Sequence, residues 1–392
     1  MYQACTRCVM DTTDPDIRFD QDGVCNHCHE YDRIVKEHTF TSDEGSRKLE
    51  RLVQEIKQAG RGREYDCLLG ISGGVDSCYT AYLAKQLGLR VLLVNCDNGC
   101  DPPVTGQNVS NIAKSLGFTL RKHKFNPEEF NDLWLSFFRA GVINLEAVTD
   151  HLLRASLYQV AEEEGLRYIL SGTNHVTEII MPAAWGWDNN DKANLIGIHK
   201  AHGRVPIKTL PLLGYHRWLR YEFMKGIKIV SPLNYVSYNR EQAKATLMRE
   251  CDYRDYGLKH HESVLTRFYQ CYILPQRWGV DKRRPHLSCL ICAGQMDRHE
   301  ALEELQKPPY NQERLEEDKK FLLPILGIDE PELQKLMTLP KRSHEEFGSD
   351  SKRDPIVSLA LRLRAGKYRV LLYRLMSLGF RMGTAFRKIW QR

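Results

Sequence analysis

Six residues between a predicted strand and a predicted helix constrain this chain most: Ser72-Gly73-Gly74-Val75-Asp76-Ser77. The apolar run 65–71 before them suits a buried parallel strand, and residues 78–87 after them have helical spacing. Two adjacent glycines let backbone N–H groups approach an anion, and the positive end of the following helix dipole favours the same charge. We therefore expect residues 72–77, the phosphate loop, to bind phosphate groups.

The phosphate loop has no Lys-Ser or Lys-Thr pair where a Walker loop grips the β and γ phosphates, which disfavours hydrolysis at the γ phosphate. It instead resembles the pyrophosphate-binding loop (PP-loop) of the N-type ATP pyrophosphatases, an adenylating family that cleaves ATP between the α and β phosphates. A strand-to-helix turn with chance glycines is the alternative. The predicted strand and helix on either side argue against that alternative.

Strand-like and helical segments alternate between residues 65 and 233, which predicts an α/β fold with a doubly wound parallel sheet. The predicted strands are residues 65–71, 90–96, 118–125, 167–170 and 228–230. Ligands of such sheets lie beyond the carboxyl ends of the strands. Asp97, after the second strand, and Gly172 and Asn174, after the fourth, are therefore expected to lie beside the bound nucleotide, although Asp97 can equally be a simple turn residue.

Two CxxC pairs near the start, Cys5 with Cys8 and Cys25 with Cys28, are separated by sixteen residues. This is the spacing of a structural zinc site with four thiolates. The polar, turn-rich segment 11–23 between the pairs needs such a metal in order to fold. Disulfides or an iron cluster are the alternatives, and disulfides are rare in the cytosol.

Composition limits the class of protein. The chain has 392 residues of which 42% are hydrophobic, typical of a soluble protein with two or three domains. No apolar run reaches membrane-spanning length and no basic-then-apolar leader is present, so we expect a cytoplasmic protein. Residues 352–392 contain eleven Lys or Arg and one acidic residue, whereas the remainder has a net charge of −4. The acidic body argues against binding to nucleic acid.

We predict five segments: a zinc-binding ribbon (1–40), a helical linker (41–64), an ATP-binding domain (65–240), a helical substrate or partner region (241–345) and a basic amphipathic tail (346–392). A basic amphipathic tail suits peripheral contact with anionic lipid at the inner face of the membrane. Docking on a partner subunit and simple packing on the body are the alternatives.

Four stretches together resemble the N-acetyl sugar amidotransferases of bacterial surface-polysaccharide synthesis, of the WbpG and PseA type. They are CTRC, DGVCNHC, SGGVDS and RDYGLKHHESVLTRFYQCYILPQRWGVDKRRPHLSCLICAGQM. The resemblance spans roughly residues 1–310, and its specificity lies in the combination of motifs. It implies a small zinc ribbon, a PP-loop domain and an ATP-dependent ligase that converts the acetamido group of a nucleotide-activated sugar to an acetamidino group in O-antigen synthesis.

The resemblance also implies roles for individual residues. ATP would adenylate the amide oxygen, and ammonia would then displace AMP. Asp76 would hold the Mg²⁺ that accompanies ATP, while Ser72, Gly73, Gly74 and Ser77 would hold pyrophosphate. The candidate catalytic residues are Asp76, Ser72 and Ser77. The candidate ATP-binding residues are residues 72–77, including Val75, together with Asp97, Gly172 and Asn174. The candidate substrate residues are Lys259, His260, His261, Arg267, Lys282 and Arg283.

No glutaminase motif is found in the sequence, so a separate partner would have to supply ammonia. The resemblance implies that this partner consists of HisH-like glutaminase and HisF-like cyclase subunits. The alternative function is that of a tRNA thiolase, a group that also joins a zinc ribbon to this loop and uses an iron–sulfur cluster or catalytic cysteines. Cys289 and Cys292, with Cys251 or Cys271, would then serve that chemistry. The helical spacing of Cys289 and Cys292 beside apolar neighbours is more typical of buried structural cysteines. A non-enzymatic scaffold is the third possibility.

Overall fold

Five short apolar segments pair in parallel to form the central sheet of this computed structural model, which describes residues 2–257 and 262–350. The strands are β1 (Cys67–Gly70), β2 (Val91–Asp97), β3 (Thr119–Lys124), β4 (Tyr168–Leu170) and β5 (Lys228–Val230). Their order in the sheet is β3-β2-β1-β4-β5, and all neighbours are parallel. The predicted α/β class and its five strands are confirmed.

The central strands are apolar on both faces because helices cover both sides of the sheet. Leu68 pairs with Leu92 and points to one face, whereas Leu69 pairs with Leu93 and points to the other. The side chains of all four leucines are at most 3% exposed. The edge strands β3 and β5 are more exposed and more polar.

The α-helices of the described residues are α1 (Asn26–His38), α2 (Asp43–Ala59), α3 (Val75–Gln86), α4 (Pro103–Leu116), α5 (Pro127–Ala140), α6 (Ala147–Glu163), α7 (His175–Glu178), α8 (Lys192–His202), α9 (Tyr215–Leu219), α10 (Arg240–Cys251), α11 (Val264–Phe268), α12 (Arg283–Cys292), α13 (Arg298–Gln306), α14 (Gln312–Leu326) and α15 (Glu330–Thr338). Short 3-10 turns lie at Ala183–Trp185, Pro232–Tyr235 and His344–Phe347, and π-helical turns lie at Arg220–Met224 and Tyr269–Trp278.

Two groups of helices sandwich the sheet. Helices α3, α4 and α10 share one hydrophobic core with β1 and β2, while α6 and α9 share another core on the opposite face. A third and larger core joins α5 to the helices after residue 262 and to the cysteine-rich N-terminus. The molecule therefore has an added helical layer beside the sheet.

Tryptophans, histidines and several glycines occur over residues 178–221 without a regular period, which predicts an irregular insertion, but the structure places helix α8 within it. Its loop segments are held by two carboxylates of α5. Glu129 accepts hydrogen bonds from the backbone of residues 208–210, and Asp132 accepts them from the backbone of residues 204 and 205. Because these bonds join residues 72 to 81 positions apart, local sequence patterns do not reveal them.

The five strands lie inside the predicted ATP-binding segment 65–240, and the exact segment limits remain predictions. Most of the predicted basic tail lies outside the described residues, which end at residue 350. No helix within the described ranges is long and apolar enough to cross a membrane.

Candidate functional site

A cavity of about 610 Å³ lies at the carboxyl ends of the strands and contains the phosphate loop. Its lining includes Ser72, Gly74, Val75, Asp76 and Ser77. Residues that follow β2 and β4, together with one face of α6, complete this side of the cavity. The topology thus brings separate strand ends to one place, as expected for a ligand site of a parallel sheet.

Backbone geometry requires glycine in the phosphate loop. Gly73 has φ +84°, a conformation that L side chains rarely adopt, and a Cβ atom there would lie 2.7 Å from Cγ2 of Thr105. Gly74 immediately precedes α3, and a Cβ atom there would lie 2.9 Å from Oε1 of Glu262. The loop therefore places backbone N–H groups at the start of a twelve-residue helix, where an anion binds well.

Two hydroxyl groups close the phosphate loop. The Oγ atoms of Ser72 and Ser77 are 3.2 Å apart, and the Ser72 Oγ accepts a hydrogen bond from the backbone N–H of Gly74 at 3.2 Å. Tyr256 accepts a hydrogen bond from the backbone N–H of Val75 at 3.3 Å. The predicted loop residues are thus held together in one compact turn.

Asp76, in the first turn of α3, accepts a hydrogen bond from the hydroxyl of Tyr238. Burial, and then the carboxylate of Asp76, raise the pKa of Tyr238, so the phenol stays protonated and donates to that carboxylate. This contact fixes the direction of the Asp76 side chain inside the cavity.

Gly172, just beyond β4, packs against the phosphate loop and lines the cavity, and its contact with a nucleotide remains a prediction. Asn174 is buried and caps α7 by accepting a hydrogen bond from the backbone N–H of Thr177, and it is not part of the cavity lining. Asp97 accepts from the backbone N–H of Gly99 at 2.9 Å and is likewise not part of the lining. The nucleotide-binding roles of Asn174 and Asp97 remain predictions, and their observed contacts are local.

Acidic side chains that the sequence patterns did not single out dominate the cavity. Among residues 2–257 and 262–350, six carboxylates and three Lys or Arg side chains line it, and the carboxylates are Asp76, Asp101, Glu146, Asp150, Glu178 and Glu262. Burial raises the pKa of Asp101 to about 7 and that of Asp150 to about 7, and nearby carboxylates add to both shifts. Asp101 follows β2 by four residues, so its place after a strand end was a usable signal.

Six residues from 262–286 form a wall of this cavity that is built outside the sheet domain. They are Glu262, Ser263, Thr266, Gln270, Lys282 and His286. Nζ of Lys282 lies 2.6 Å from Oε2 of Glu146, and Nε2 of Gln270 donates to the other oxygen of Glu146 at 2.7 Å. This wall is therefore attached to α6 by a fixed network of charged and polar groups.

The other predicted substrate residues have different positions. Arg267 is 3% exposed, makes a two-bond ion pair with Asp318 and borders a second cavity of about 870 Å³. Arg283 pairs with Asp281 and donates to the carbonyl groups at the end of α13, away from the main cavity lining. Lys259, His260 and His261 lie outside the described residues. Of the six candidates, the described residues place Lys282 at the main cavity.

The four predicted metal ligands come together at the N-terminus. The Sγ atoms of Cys5, Cys8, Cys25 and Cys28 all lie within 4.8 Å of one another and all four side chains are buried. Contact with the sulfur of Cys25 lowers the pKa of Cys8 but raises that of Cys28. Four adjacent thiolates repel one another unless a cation lies among them, so the donor set fits a tetrahedral metal ion.

Two histidines near these cysteines point elsewhere. His27 contacts Asp14 at 2.6 Å and His29 contacts Asp20 at 2.8 Å. Backbone N–H groups of Cys8 and Cys25 donate to Sγ of Cys5. The arrangement is therefore a four-sulfur site with its own hydrogen-bond donors, and zinc is the metal that such sites usually hold.

Most of the helices after residue 262 belong to a segment that matches a known protein family. Residues 262–362 match the family described as "LPS biosynthesis protein WbpG-like, C-terminal domain". This part of the chain is similar to the C-terminal domain of WbpG-like proteins. This match begins at Glu262, the first residue of the cavity wall described above. The resemblance predicted from the motifs is confirmed, and the WbpG-like domain contributes directly to the cavity that contains the phosphate loop.

More distant relatives are found among curated proteins and solved structures. The chain is 34% identical over 106 residues to tRNA(Ile)-lysidine synthase from two strains of Thermus thermophilus, and this match covers 26% of this chain. The chain spans only 20% of the length of these curated relatives.

Two solved structures are similar at low identity. NMN synthetase from Francisella tularensis has 14% identity and a TM-score of 0.29, with 59% of this chain and 93% of that chain covered. The NH3-dependent NAD synthetase from Campylobacter jejuni has 13% identity and a TM-score of 0.28, with 53% and 85% covered.

Proposed function

We propose that this protein is an ATP-dependent amidotransferase that converts an acetamido group of a nucleotide-activated sugar to an acetamidino group. One observation carries the proposal. The WbpG-like domain supplies a wall of the same cavity that contains the phosphate loop. This shared cavity supports the proposal, because a nucleotide sugar and ATP would meet there.

The phosphate loop suits release of pyrophosphate. Its N–H groups and the start of α3 favour negative charge, and the hydroxyls of Ser72 and Ser77 lie beside them. No lysine follows the glycines to hold a γ phosphate, so the loop favours binding pyrophosphate as a leaving group. We assign Ser72, Gly73, Gly74, Val75 and Ser77 to this role.

The negative charge of the cavity suggests that ATP binds there together with cations. The described part of the lining has six carboxylates and three Lys or Arg side chains, and this excess of negative charge repels a triphosphate unless positive charge accompanies it. Mg²⁺, when bound, neutralises phosphate charge and polarises the phosphorus that is attacked. Asp76, oriented by Tyr238, is the residue that we assign to hold it.

The proposed reaction has two steps. The amide oxygen of the acetamido group attacks the α phosphorus of ATP, and the bond from that phosphorus to the bridging oxygen breaks, which releases pyrophosphate. Ammonia then adds to the activated carbon, loses a proton, and the C–O bond to AMP breaks. Holding the two substrates together lowers the barrier even without a dedicated acid or base.

In this proposal a separate source in the cytoplasm supplies ammonia, because no glutaminase motif occurs in the sequence. The family resemblance implies that this source is a pair of HisH-like and HisF-like subunits. The candidate substrate residues Lys259, His260, His261, Arg267 and Arg283 stay predictions. Lys282 is a positioning residue in our account, since its charge is already paired with Glu146 inside the cavity.

Exchange of labelled pyrophosphate into ATP tests the first step. We expect exchange that depends on an N-acetylated nucleotide sugar, and we expect Asp76→Asn to reduce it by at least about 100-fold because phosphate charge is no longer neutralised. The ribbon metal content of the variant should match wild type. Exchange that depends on tRNA and ignores nucleotide sugars would contradict the proposal and favour the thiolase alternative.

A further inference from the structure

A fifth cysteine touches the four-cysteine site. Sγ of Cys292, in the last turn of α12, lies 3.8 Å from Sγ of Cys28. Cys28 is fully buried, whereas Cys292 is half-buried. Of the twelve cysteines, Cys96 and Cys292 are half-buried and the other ten are buried. Cys292 is thus a thiol that is both open to solvent and in contact with a predicted metal ligand.

The contact is part of an extended interface between α12 and the ribbon. Arg284, Ser288 and Cys292 are spaced by four residues, so they lie on one face of the helix. Arg284 donates to the carbonyl oxygen of Val9 at 2.8 Å, and Ser288 accepts from the backbone N–H of the same residue at 3.2 Å. The position of Cys292 beside Cys28 is therefore fixed by neighbouring bonds along the helix.

The other side of α12 belongs to the main cavity. Lys282, which precedes the helix, and His286 line that cavity. Each lies two positions before a residue that faces the ribbon, so both are on a different face of the helix. Sγ of Cys289 accepts a hydrogen bond from the backbone N–H of Ile180, next to the cavity residue Met181. Helix α12 therefore contacts the ribbon with one face and the cavity with another.

We propose that Cys28 and Cys292 form a peroxide-induced disulfide that releases the ribbon metal. In the first step the Cys292 thiolate attacks hydrogen peroxide, an S–O bond forms, the O–O bond breaks and hydroxide leaves. In the second step the Cys28 thiolate attacks the Cys292 sulfenic acid, the S–S bond forms and a second hydroxide leaves. Both sulfurs are oxidised and the peroxide is reduced.

Metal release follows from the loss of one ligand. A structural zinc ion needs all four thiolates, and a disulfide sulfur no longer carries the charge that binds it. The Sγ atoms must also move from 3.8 Å to bonding distance, which pulls the end of α12 toward the ribbon. The inference rests on a metal at Cys5, Cys8, Cys25 and Cys28, and it is independent of the proposed amidotransferase activity.

The test uses the full chain with its metal bound. Wild type and Cys292→Ser are treated with hydrogen peroxide, and metal release is followed with a chromogenic chelator. We expect release to be slower in Cys292→Ser by at least about tenfold, because the sulfur that reacts first is absent. Cys96→Ser, which removes the other half-buried thiol, should release metal at the wild-type rate.

Peptide mass spectrometry identifies the bond. A peptide that joins Cys28 to Cys292 should appear in parallel with metal release, and dithiothreitol with added zinc should reverse both. Equal release rates in wild type and Cys292→Ser, or disulfides confined to the four ribbon cysteines, would overturn the proposal. A purified chain that holds no metal would overturn it as well. Equal metal content of both proteins before oxidation shows that the serine variant is folded.

Discussion

Gly172 packs directly against the backbone of Ser77: a Cβ atom on Gly172 would lie 2.7 Å from the Ser77 nitrogen and 2.8 Å from its Cα. The end of β4 and the start of α3 thus touch without space for a side chain. We predict that Gly172→Ala displaces the phosphate loop and weakens binding of a non-hydrolysable ATP analogue by at least about tenfold. Isothermal titration calorimetry measures the change.

Gly106 provides the matched control for this substitution. It lies within α4, and a Cβ atom there would meet no atom within 4 Å. Gly106→Ala should leave nucleotide affinity unchanged and stabilise the protein by about 0.5–1 kcal/mol through its better helix propensity. If both alanine variants bind the analogue like wild type, the close approach at Gly172 has no role in shaping the loop.

The ion pair between Lys282 and Glu146 is nearly enclosed, with side chains 11% and 16% exposed. Lys282→Met leaves the Glu146 carboxylate without its cation, so we expect the free energy of unfolding to fall by about 2–3 kcal/mol. This loss is smaller than for a fully buried pair because water in the cavity screens the remaining charge. Adding Glu146→Gln to that variant should recover more than half of the loss. Urea denaturation of the single and double variants measures these differences.

Lys307 and Glu304 form an exposed pair at the same 2.6 Å distance, so Lys307→Met serves as the control and should change stability by less than about 0.5 kcal/mol. A Lys282→Met variant with wild-type stability but a raised KM for the nucleotide sugar would contradict our account. It would instead support the predicted role of Lys282 as a substrate residue.

Burial raises the pKa of Asp101 to about 7, and the carboxylates of Asp97 and Glu262 add to the shift. The folded-state pKa therefore exceeds that of the unfolded chain, so the stability that this residue contributes is present below about pH 4 and lost as pH rises through about 7. Asp101→Asn, which does not ionise, should gain about 1–2 kcal/mol relative to wild type between pH 5 and pH 8. Urea denaturation without nucleotide checks this, and a pH-independent difference would be inconsistent with a raised pKa.

The fold was largely accessible from the sequence because each strand is a short apolar run beside a turn signal. The alternation of β1 to β4 with helices and the glycines of the phosphate loop are local patterns that determine local structure. The sequence does not predict helix α8, because the loop that follows it is held by hydrogen bonds to Glu129 and Asp132, which are distant in sequence. Long-range hydrogen bonds of buried carboxylates leave no periodic pattern.

The site was accessible only in part. The phosphate loop, Gly172 and the four cysteines come from motifs with a physical reason for each residue type. Glu146 and Asp150 lie on a helix whose spacing resembles that of any surface helix, so nothing marked them as cavity residues. The pairing of Lys282 with Glu146 and the contact of Cys292 with Cys28 join residues 136 and 264 positions apart. Such pairs appear only once the chain is folded.

One measurement tests the central claim most directly. The protein is incubated with ATP, ammonium and a set of N-acetylated nucleotide sugars, and the sugars are then analysed by mass spectrometry. Our account predicts a product in which NH replaces one acetamido oxygen, formed in step with AMP and absent with Asp76→Asn. Release of AMP with every sugar unchanged, while added tRNA acquires a modification, would contradict it.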